Sequence, residues 1–482
     1  MKRAKRRTTW LVSAALIIIF VLCCTSSSSI IFGRECCCGS FAAPCFRRRA
    51  GSPCLITSMA NLNVDASRGQ FPSLKDGYLF GDNAGGSQCL KSVADAISDY
   101  LLNTNAQLGA TYSVSAESTS RVQDGLRTTA TLVNAASPDE ITFGSSSTVL
   151  VENLARAIDG DLRSTEEFIV SDVDHEANVG AWKRLAARRG LTVHHWKPIA
   201  RSGSPNENPY NVTLRVDDLL KLVTAHTRLV AFTACSNILG ELVDITSVVK
   251  ALRARASEVG ARKLEVCIDC VAYAPHRRID VQAWDVDYAF FSYYKVYGAH
   301  VSALYTRATS RDALASIAHY FLTKPTYKLA IGGPLYEMAF STTPVLTYLE
   351  SLDQSGDADL DKAFATVAKH ETTLMQPLLD FLLSDAAKAR GVRVVGPETV
   401  QDRVPTVSFV VIGDRAMKSA DVVAEVDKAE KVRSRLRLAQ CGVRSSHLQS
   451  LLKFAQIGIR YGHFYAHNLL RNALGIATLR TV

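Results

Sequence analysis

The feature that most constrains the fold is a regular alternation of short apolar runs with helical stretches between residues 166 and 292. The runs are "EEFIVSD" (166–172), "LTVHHW" (191–196), "TRLVAFTA" (227–234), "KLEVCID" (263–269) and "VDYAFFS" (286–292). Strand, helix and strand in this rhythm predict parallel βαβ units. Because the runs are apolar on both faces, we expect strands that helices cover on two sides. The sequence therefore predicts an α/β fold with a mostly parallel sheet.

The rest of the chain has a different pattern, and we predict three parts. Residues 59–335 form a large α/β domain with its N-terminal segment. Residues 336–482 form a smaller C-terminal α+β domain, because the helical run "LDKAFATVAKHETTLMQPLLDFLLSDAAKARG" precedes the strand-like "VRVVG" and "TVSFVVIG". Residues 1–58 form a leader of separate composition.

The leader accounts for most of the charge and most of the cysteines. It holds nine Lys or Arg and one Glu, a net of +8 out of +9 for the whole chain, and seven of the twelve cysteines. The remaining chain is nearly balanced in charge, which gives no indication of nucleic-acid binding. Its few cysteines are widely spaced apart from one pair near a strand end, which favours a reducing compartment. We expect a cytoplasmic catalytic body and no metal site.

The leader allows three interpretations. A basic start followed by apolar residues 10–24 suits a signal or membrane anchor, although the apolar stretch is short for a spanning helix. It also suits another targeting segment, or an upstream extension absent from the working protein, with Met59 as a cytosolic start. The sequon at Asn211 offers a check, since a secreted product would be glycosylated there. Any membrane contact is expected only through this leader.

Three polar side chains follow apolar runs at positions where open α/β sheets bind ligands. They are His175, Asp269 and Lys295. Because the carboxyl ends of parallel strands meet at one edge of a sheet, we expect these side chains to converge. A buried lysine is costly unless its charge is paired, neutralised or replaced by a covalent bond. An amine for a Schiff base, an acid for a ring nitrogen and a flat group to cover the ring are what a pyridoxal 5′-phosphate (PLP) site needs.

The segment "DCVAYAPHRRIDVQAWDVDYAFFSYYKVYG" (269–298) resembles the active-site stretch of class V aminotransferase-fold PLP enzymes. Within that family the chain is similar to the cysteine desulfurase-like branch of fungal secondary metabolism, including the loline-alkaloid type. The resemblance runs from about Tyr78 to the end of the chain. It implies a fold-type I PLP-dependent transferase, with a large domain built on a mostly parallel, seven-stranded-type sheet and a small C-terminal domain.

The resemblance also implies roles for residues that match the family's motifs. Lys295 in "SYYK" is the implied Schiff-base lysine, Asp269 the partner of the ring nitrogen and His175 in "DHEAN" the ring-stacking histidine. The implied ligands of the cofactor phosphate are Ser147, Thr148, Ser292 and Tyr294. The implied substrate-binding residues are Asn83, Asn237 and Arg480, the last of which binds a carboxylate.

The chain departs from the family's pattern in three ways. In "RYGHFYA", Tyr465 stands where desulfurases carry the cysteine that accepts sulfur, so sulfur delivery by that route is not expected. Ala272 stands where a glutamine or histidine usually touches the cofactor, which frees space at the cofactor edge. Family members continue for about a strand and a helix beyond the residue matching Arg480, whereas this sequence ends at Val482. We therefore expect a small domain that is truncated in the sequence.

Together these patterns predict a PLP-dependent enzyme that forms or breaks a bond at Cα or Cβ of an amino acid through a carbanion, in alkaloid or other secondary metabolism. Two alternatives remain: a cysteine desulfurase or C–S lyase, and a membrane-tethered PLP-binding protein with little turnover. A homodimer is expected, because "AIGGPLYE" (330–337) matches the stretch that reaches the neighbouring subunit, with Gly333 where a threonine often stands.

Overall fold

The computed structural model describes residues 62–75, 79–201, 208–333, 335–427, 457–460, 464–466 and 468–474. The leader and Arg480 lie outside these residues. The helices are α1 (Val64–Gly69), α2 (Lys91–Asp99), α3 (Ser113–Val133), α4 (Ser147–Ile158), α5 (Glu176–Arg189), α6 (Val216–Leu220), α7 (Ile245–Val259), α8 (Ala308–Ala313), α9 (Tyr336–Phe340), α10 (Thr343–Glu350), α11 (Leu360–Leu383) and α12 (Asp385–Lys388). The strands are β1 (Leu79–Phe80), β2 (Ile141–Gly144), β3 (Glu167–Ser171), β4 (Thr192–Trp196), β5 (Ile199–Ala200), β6 (Val212–Thr213), β7 (Thr227–Thr233), β8 (Glu265–Asp269), β9 (Tyr288–Ser292), β10 (Ser302–Thr306), β11 (Val392–Val395), β12 (Ser408–Val411) and β13 (Ile457–Gly458).

A seven-stranded sheet forms the centre of the large domain. Its order is β2-β10-β9-β8-β7-β3-β4, and β10 is antiparallel to both of its neighbours while the other pairs are parallel. Each of the five apolar runs seen in the sequence forms a strand of this sheet. The predicted α/β fold with a mostly parallel sheet is therefore confirmed.

Helices cover both faces of the sheet, which explains why its strands are apolar throughout. In β7, Val230 and Phe232 pack on one side with α3 and α7, whereas Leu229 and Ala231 pack on the other side with α4 and α5. Successive strand residues point to opposite faces, so a strand covered on two sides has no position left for solvent. All seven residues of β7 are buried accordingly.

The C-terminal part packs partly on this core and partly on its own. The predicted helical run divides at Ser384, whose hydroxyl accepts a hydrogen bond from the N–H of Ala387 at 3.3 Å and starts α12. The first half of α11 packs on the main core, and its second half forms a small core with β11, which pairs antiparallel to β12. The domain boundary at residue 335 stays a prediction.

Two further observations bear on the sequence expectations. Among the described helices, none combines the length and the hydropathy needed to cross a bilayer. Asn211, the sequon asparagine, is buried in the folded chain. The described residues do not include the leader, so its role stays a prediction.

A short parallel pairing joins distant parts of the chain. In it, Leu79 of β1 pairs with Ile457 of β13, and Phe80 pairs with Gly458. These partners are separated by more than three quarters of the sequence. The pairing brings the segment that follows β1 and the segment that follows β13 to the same place, beside the turn that carries Lys295.

Candidate active site

The carboxyl ends of the six parallel strands form one edge of the sheet, and the expected site residues meet there. Asp269 is the last residue of β8, and His175 follows β3 and precedes α5. Ser147 opens α4 just after β2, and Lys295 ends a 3₁₀ turn (Tyr293–Lys295) just after β9. Four residues that are far apart in the sequence thus lie at the same edge of the sheet, and the three expected from the strand ends are among them; their role as a site stays a prediction.

Lys295 is a buried amine for which the described residues provide no direct polar contact. Its exposed fraction is 9%, and its Nζ makes neither a hydrogen bond nor a salt bridge with the described part of the chain. Burial lowers the pKa of Lys295, and the cation of Arg460 lowers it further, against the opposing charges of Asp269 and Asp82. A lowered pKa increases the fraction of neutral amine, which is the form that can react as a nucleophile or a base.

Asp269 is a buried carboxylate with one oxygen engaged. Its exposed fraction is 3%, and its Oδ1 accepts a hydrogen bond from the N–H of Val271 at 2.8 Å. Burial raises the pKa of Asp269 to about 6, although the Val271 hydrogen bond and the charge of Lys295 both oppose that rise. Such a group favours a nearby positive charge, because a cation would offset the cost of its desolvation.

His175 is held in place by a helix-capping hydrogen bond. Its Nδ1 accepts a hydrogen bond from the N–H of Ala177 at 3.1 Å, at the start of α5. Burial lowers the pKa of His175 to about 4, and the charge of Lys295 adds to this effect. The ring is therefore neutral at physiological pH and carries its proton on Nε2, because Nδ1 is the acceptor.

Three buried serine hydroxyls and the start of α4 form a polar cluster at one end of the crevice. The Oγ of Ser292 lies 2.8 Å from that of Ser147 and 2.7 Å from that of Ser302. Ser146 caps α4, which leaves free N–H groups at the first turn of the helix, where anions are favoured. Thr148 lies exposed in the same turn. The cluster suits a phosphate group, whose oxygens accept hydrogen bonds.

Tyr294 lies in the turn that follows β9, and its ring stacks with the ring of His300. Its ring lies 5.2 Å from that of His300, with 9° between the planes. Burial raises the pKa of the Tyr294 hydroxyl, and the negative charge of Asp269 contributes. The hydroxyl therefore stays protonated at neutral pH and can donate a hydrogen bond. Its role as a phosphate ligand stays a prediction.

The expected substrate-binding residues lie in different situations. Asn237 donates from Nδ2 to the carbonyl of Phe464 at 2.8 Å, and its buried Oδ1 has no hydrogen-bond partner within the described residues. Asn83 is exposed and donates from Nδ2 to the carbonyl of Phe80 at 2.7 Å. Arg480 lies outside the described residues. The substrate roles of these residues stay predictions.

An ion pair that the sequence did not indicate lies near Lys295. Arg460 follows β13 and binds Asp82, which follows β1, with Nε and Nη2 at 2.9 and 2.6 Å from the same carboxylate oxygen. Both charges affect the pKa of Lys295. The pair therefore ties the first and last described strands together next to the reactive amine.

Tyr465 contacts His175 directly. Its ring centroid lies 5.2 Å from that of His175, and its backbone carbonyl accepts a hydrogen bond from the N–H of Glu176 at 2.9 Å. The side chain is 66% exposed, so it lies at the mouth of the crevice. Ala272, three residues after Asp269, leaves a small side chain on the adjoining loop.

The arrangement fits PLP. Lys295 and Asp269 influence each other's pKa and yet form no salt bridge, so a space separates the amine from the acid. The hydroxyl cluster lies on neighbouring strands, where it can hold a phosphate, and the neutral ring of His175 can cover a flat group. Lys295, Asp269, His175, Ser147 and Ser292 would hold the cofactor.

The family model for aminotransferase class V matches residues 78–480 of this chain. The chain belongs to the class V aminotransferase family. It is 36% identical over 430 residues to the aminotransferase-like protein FGM3 of Gibberella zeae, covering 87% of this chain and 92% of that protein. It is 30% identical over 377 residues to the cysteine desulfurase-like protein ustD of Aspergillus flavus, covering 77% and 80%.

Solved structures share the fold. The cysteine desulfurase CsdA of Escherichia coli is similar with a TM-score of 0.63 at 21% identity, over 85% of this chain and 90% of that one. The cysteine desulfurase of Thermococcus onnurineus gives the same TM-score at 19% identity, over 86% and 91%. This class V family member is thus a PLP-dependent enzyme with the fold-type I architecture, as the resemblance implied.

Sequence reasoning missed three groups that the structure places at the site. Ser302 opens β10 in "HVSALY", where a small polar residue in an apolar strand is the only signal. Asp82 and Arg460 carry no local signal of pairing, because nothing in the sequence around either residue sets it apart from other charged residues. Their contacts depend on the register of strand pairs that the sequence does not display.

Proposed function

We propose that this class V family member uses PLP to form or break a bond at Cα or Cβ of an amino acid, in the biosynthesis of an alkaloid or another secondary metabolite. The observation that carries the chemistry is the buried, unpaired amine of Lys295 across from the buried acid of Asp269. A 33% identical relative, over 74% of this chain, is named a nonribosomal peptide synthetase-like enzyme of Aspergillus fumigatus, which supports a biosynthetic role.

Bound PLP supplies an electron-withdrawing ring that stabilises negative charge at the carbon next to the substrate's amino group. Asp269 keeps the ring nitrogen protonated, because an ion pair there offsets the desolvation that raises the pKa of this acid. His175 covers the ring as a neutral imidazole and adds no competing charge. Ser147 and Ser292 donate hydrogen bonds to the phosphate beside the first turn of α4.

Lys295 then serves as the acid and base of the reaction. Its lowered pKa increases the fraction of neutral amine, the form whose Nζ can take a proton from Cα and then return one to the product. In this proposal Asn237 and Arg480 would bind the substrate carboxylate and so orient the substrate, which would select the bond at Cα that reacts. A well-placed acid or base contributes roughly 10²–10⁴-fold to such a rate.

Tyr465 argues against sulfur transfer by a persulfide. A phenol does not accept sulfane sulfur from a substrate thiol, and here the ring packs against His175 instead of standing free. Relatives named cysteine desulfurase make that activity the runner-up, for example a 29% identical protein of Streptomyces coelicolor. A C–S lyase would release sulfide without needing the sulfur-accepting cysteine that Tyr465 replaces. The proposed function and a sulfide-releasing activity therefore need a direct test.

The test is to incubate the PLP-loaded protein with L-cysteine and a reductant and to measure sulfide. We expect sulfide release no faster than that of Lys295→Ala, together with a change of the cofactor spectrum on adding at least one other amino acid. Fast sulfide release by the wild type would establish a desulfurase or C–S lyase and contradict the proposal. A cofactor spectrum that responds to no amino acid would instead favour a PLP-binding protein of low activity.

We also propose a homodimer. The segment 330–337 resembles the family's stretch that reaches a partner subunit, and Ile331 within it is 60% exposed. Nearby, Tyr320 and Phe321 are 97% and 62% exposed, and large apolar side chains in such a group favour a protein interface. Sedimentation of the purified protein should give twice the mass of one chain; a mass of 52.5 kDa at micromolar concentration would contradict this.

A further inference from the structure

The position of the Lys295 amine depends on its backbone, because Nζ has no polar contact with the described part of the chain. That backbone belongs to a tight turn after β9 that also contains Tyr297. Tyr297 has a φ of +63°, in the left-handed region that bulky residues rarely adopt. A turn of this kind keeps its shape only where surrounding groups hold it.

Ser87 provides hydrogen bonds on both sides of Lys295. Its backbone N–H and its hydroxyl both donate to the carbonyl of Tyr294, at 2.9 and 3.1 Å. Its Oγ accepts a hydrogen bond from the N–H of Tyr297 at 2.8 Å. One serine thus binds the peptide group before the lysine and the peptide group that enters the left-handed residue after it.

The glycines before Ser87 explain how the segment comes so close. A Cβ on Gly86 would lie 3.1 Å from Cδ2 of the Tyr294 ring, a tighter contact than side-chain carbons normally make. The glycines of "GGSQ" (85–88) are therefore explained by this close approach to the Tyr294 ring. The motif is not a nucleotide-binding P-loop, because it lacks the P-loop lysine. One bond further on, the N–H of Leu90 donates to the carbonyl of Tyr297 at 2.9 Å.

We infer that Ser87 is a positioning residue for Lys295, and that its hydroxyl fixes the turn from which the amine reaches the cofactor and the substrate. The inference rests on the proposed role of Lys295. A lysine that acts as acid and base must keep its amine at a fixed position relative to the substrate. A displacement of that amine by about 1 Å can cost roughly 10²-fold in rate. Ser87 does not touch the reacting atoms, so it acts only through the lysine.

The test compares Ser87→Ala with Ser87→Thr, which keeps the hydroxyl. We expect Ser87→Ala to lower kcat by roughly 10–100-fold with little change in KM, and to shift the acidic limb of the pH profile, which reports the deprotonation of the Lys295 base. Ser87→Thr should stay within about three-fold of the wild type. Ser310→Ala is the matched control, because Ser310 is also buried and donates to Asp287 at 3.0 Å at the opposite edge of the sheet.

A second measurement does not depend on catalysis. In the cofactor-free protein, amide hydrogen exchange of the peptide containing Tyr297 should be at least about ten-fold faster in Ser87→Ala than in the wild type or in Ser310→Ala. If Ser87→Ala folds poorly, slow exchange at Tyr297 in the wild type and in Ser87→Thr still supports the inference, and fast exchange there overturns it.

The outcomes separate the inference from the proposed function. An active Lys295→Ala variant would overturn the role of the lysine, and the inference with it. If Lys295→Ala is inactive while Ser87→Ala keeps the wild-type kcat, pH profile and exchange rates, only the positioning role of Ser87 is wrong.

Discussion

Replacing Lys295 with alanine should remove the visible absorption of the bound cofactor and lower turnover by at least about 10³-fold. The reason is that, among the described residues at this edge of the sheet, this amine is the only candidate for a covalent bond to PLP, and its lowered pKa also suits it to act as a base. The measurement is the absorbance spectrum before and after borohydride reduction, with peptide mapping of the reduced protein. A phosphopyridoxyl adduct should appear on the Lys295 peptide of the wild type.

Lys250→Ala is the control for this change. Lys250 is an exposed residue of α7, so its removal should leave both spectrum and turnover unchanged. A colourless wild-type protein that folds well in the presence of PLP would contradict the proposed site. So would a variant at Lys295 that keeps the absorption and the activity of the wild type.

Replacing Asp269 with asparagine should lower kcat by roughly 10²–10³-fold while PLP still binds. The amide has the size of the acid but carries no charge, so it cannot hold the proton on the ring nitrogen. Asp269→Glu should recover part of the activity, since it restores the charge at a shifted position. A loss smaller than about three-fold in Asp269→Asn would show that this acid does not act on the cofactor.

Asp269→Asn lowers kcat in the holoenzyme, but it should raise the stability of the cofactor-free protein. Burial raises the pKa of Asp269 from 3.8 to about 6, so the protonated acid is favoured in the folded state. The stability that this gives is complete below pH 3.8 and is lost as the pH rises through about 6. Between about pH 5 and 7.5, Asp269→Asn should therefore gain about 1.5 kcal/mol in unfolding free energy relative to the wild type.

Thermal or denaturant unfolding of the PLP-free proteins at the two pH values measures this difference. Asp244→Asn is the control, because Asp244 caps α7 by accepting the N–H of Ser247 at 3.1 Å, and asparagine caps helices equally well. This variant and the wild type should unfold with similar free energies, because the cap is kept. If Asp269→Asn instead loses unfolding free energy relative to the wild type as the pH rises, the raised pKa of Asp269 in the cofactor-free protein would be contradicted.

Much of this fold was visible in the sequence because its signals are local. An apolar run such as "TRLVAFTA" predicts a doubly covered strand from its own composition, and β7 is buried along its whole length. A polar residue that ends such a run, such as Asp269 after "LEVCI", predicts a site at the sheet edge for the same reason. The helical run from residue 360 was also recognisable, although its division at Ser384 was not.

The remaining contacts depended on pairing between distant segments. The hydroxyl of Ser302 reaches Ser292 because β10 lies antiparallel to β9 in a register that sets these two residues opposite each other. Arg460 meets Asp82 because β13 pairs with β1, nearly four hundred residues away. A shift of one residue in either register would turn these side chains to other faces.

The sequence by itself thus determined the class of fold and the three candidate catalytic side chains, because apolar runs and the polar residues that end them can be recognised within a few consecutive residues. Only the tertiary structure decided what surrounds the lysine: the serine that holds its turn, the hydroxyl cluster and the ion pair beside it. Those contacts depend on which strands pair and in which register. The free energy that selects this register comes from the packing of the whole core, so no short segment of the sequence predicts it.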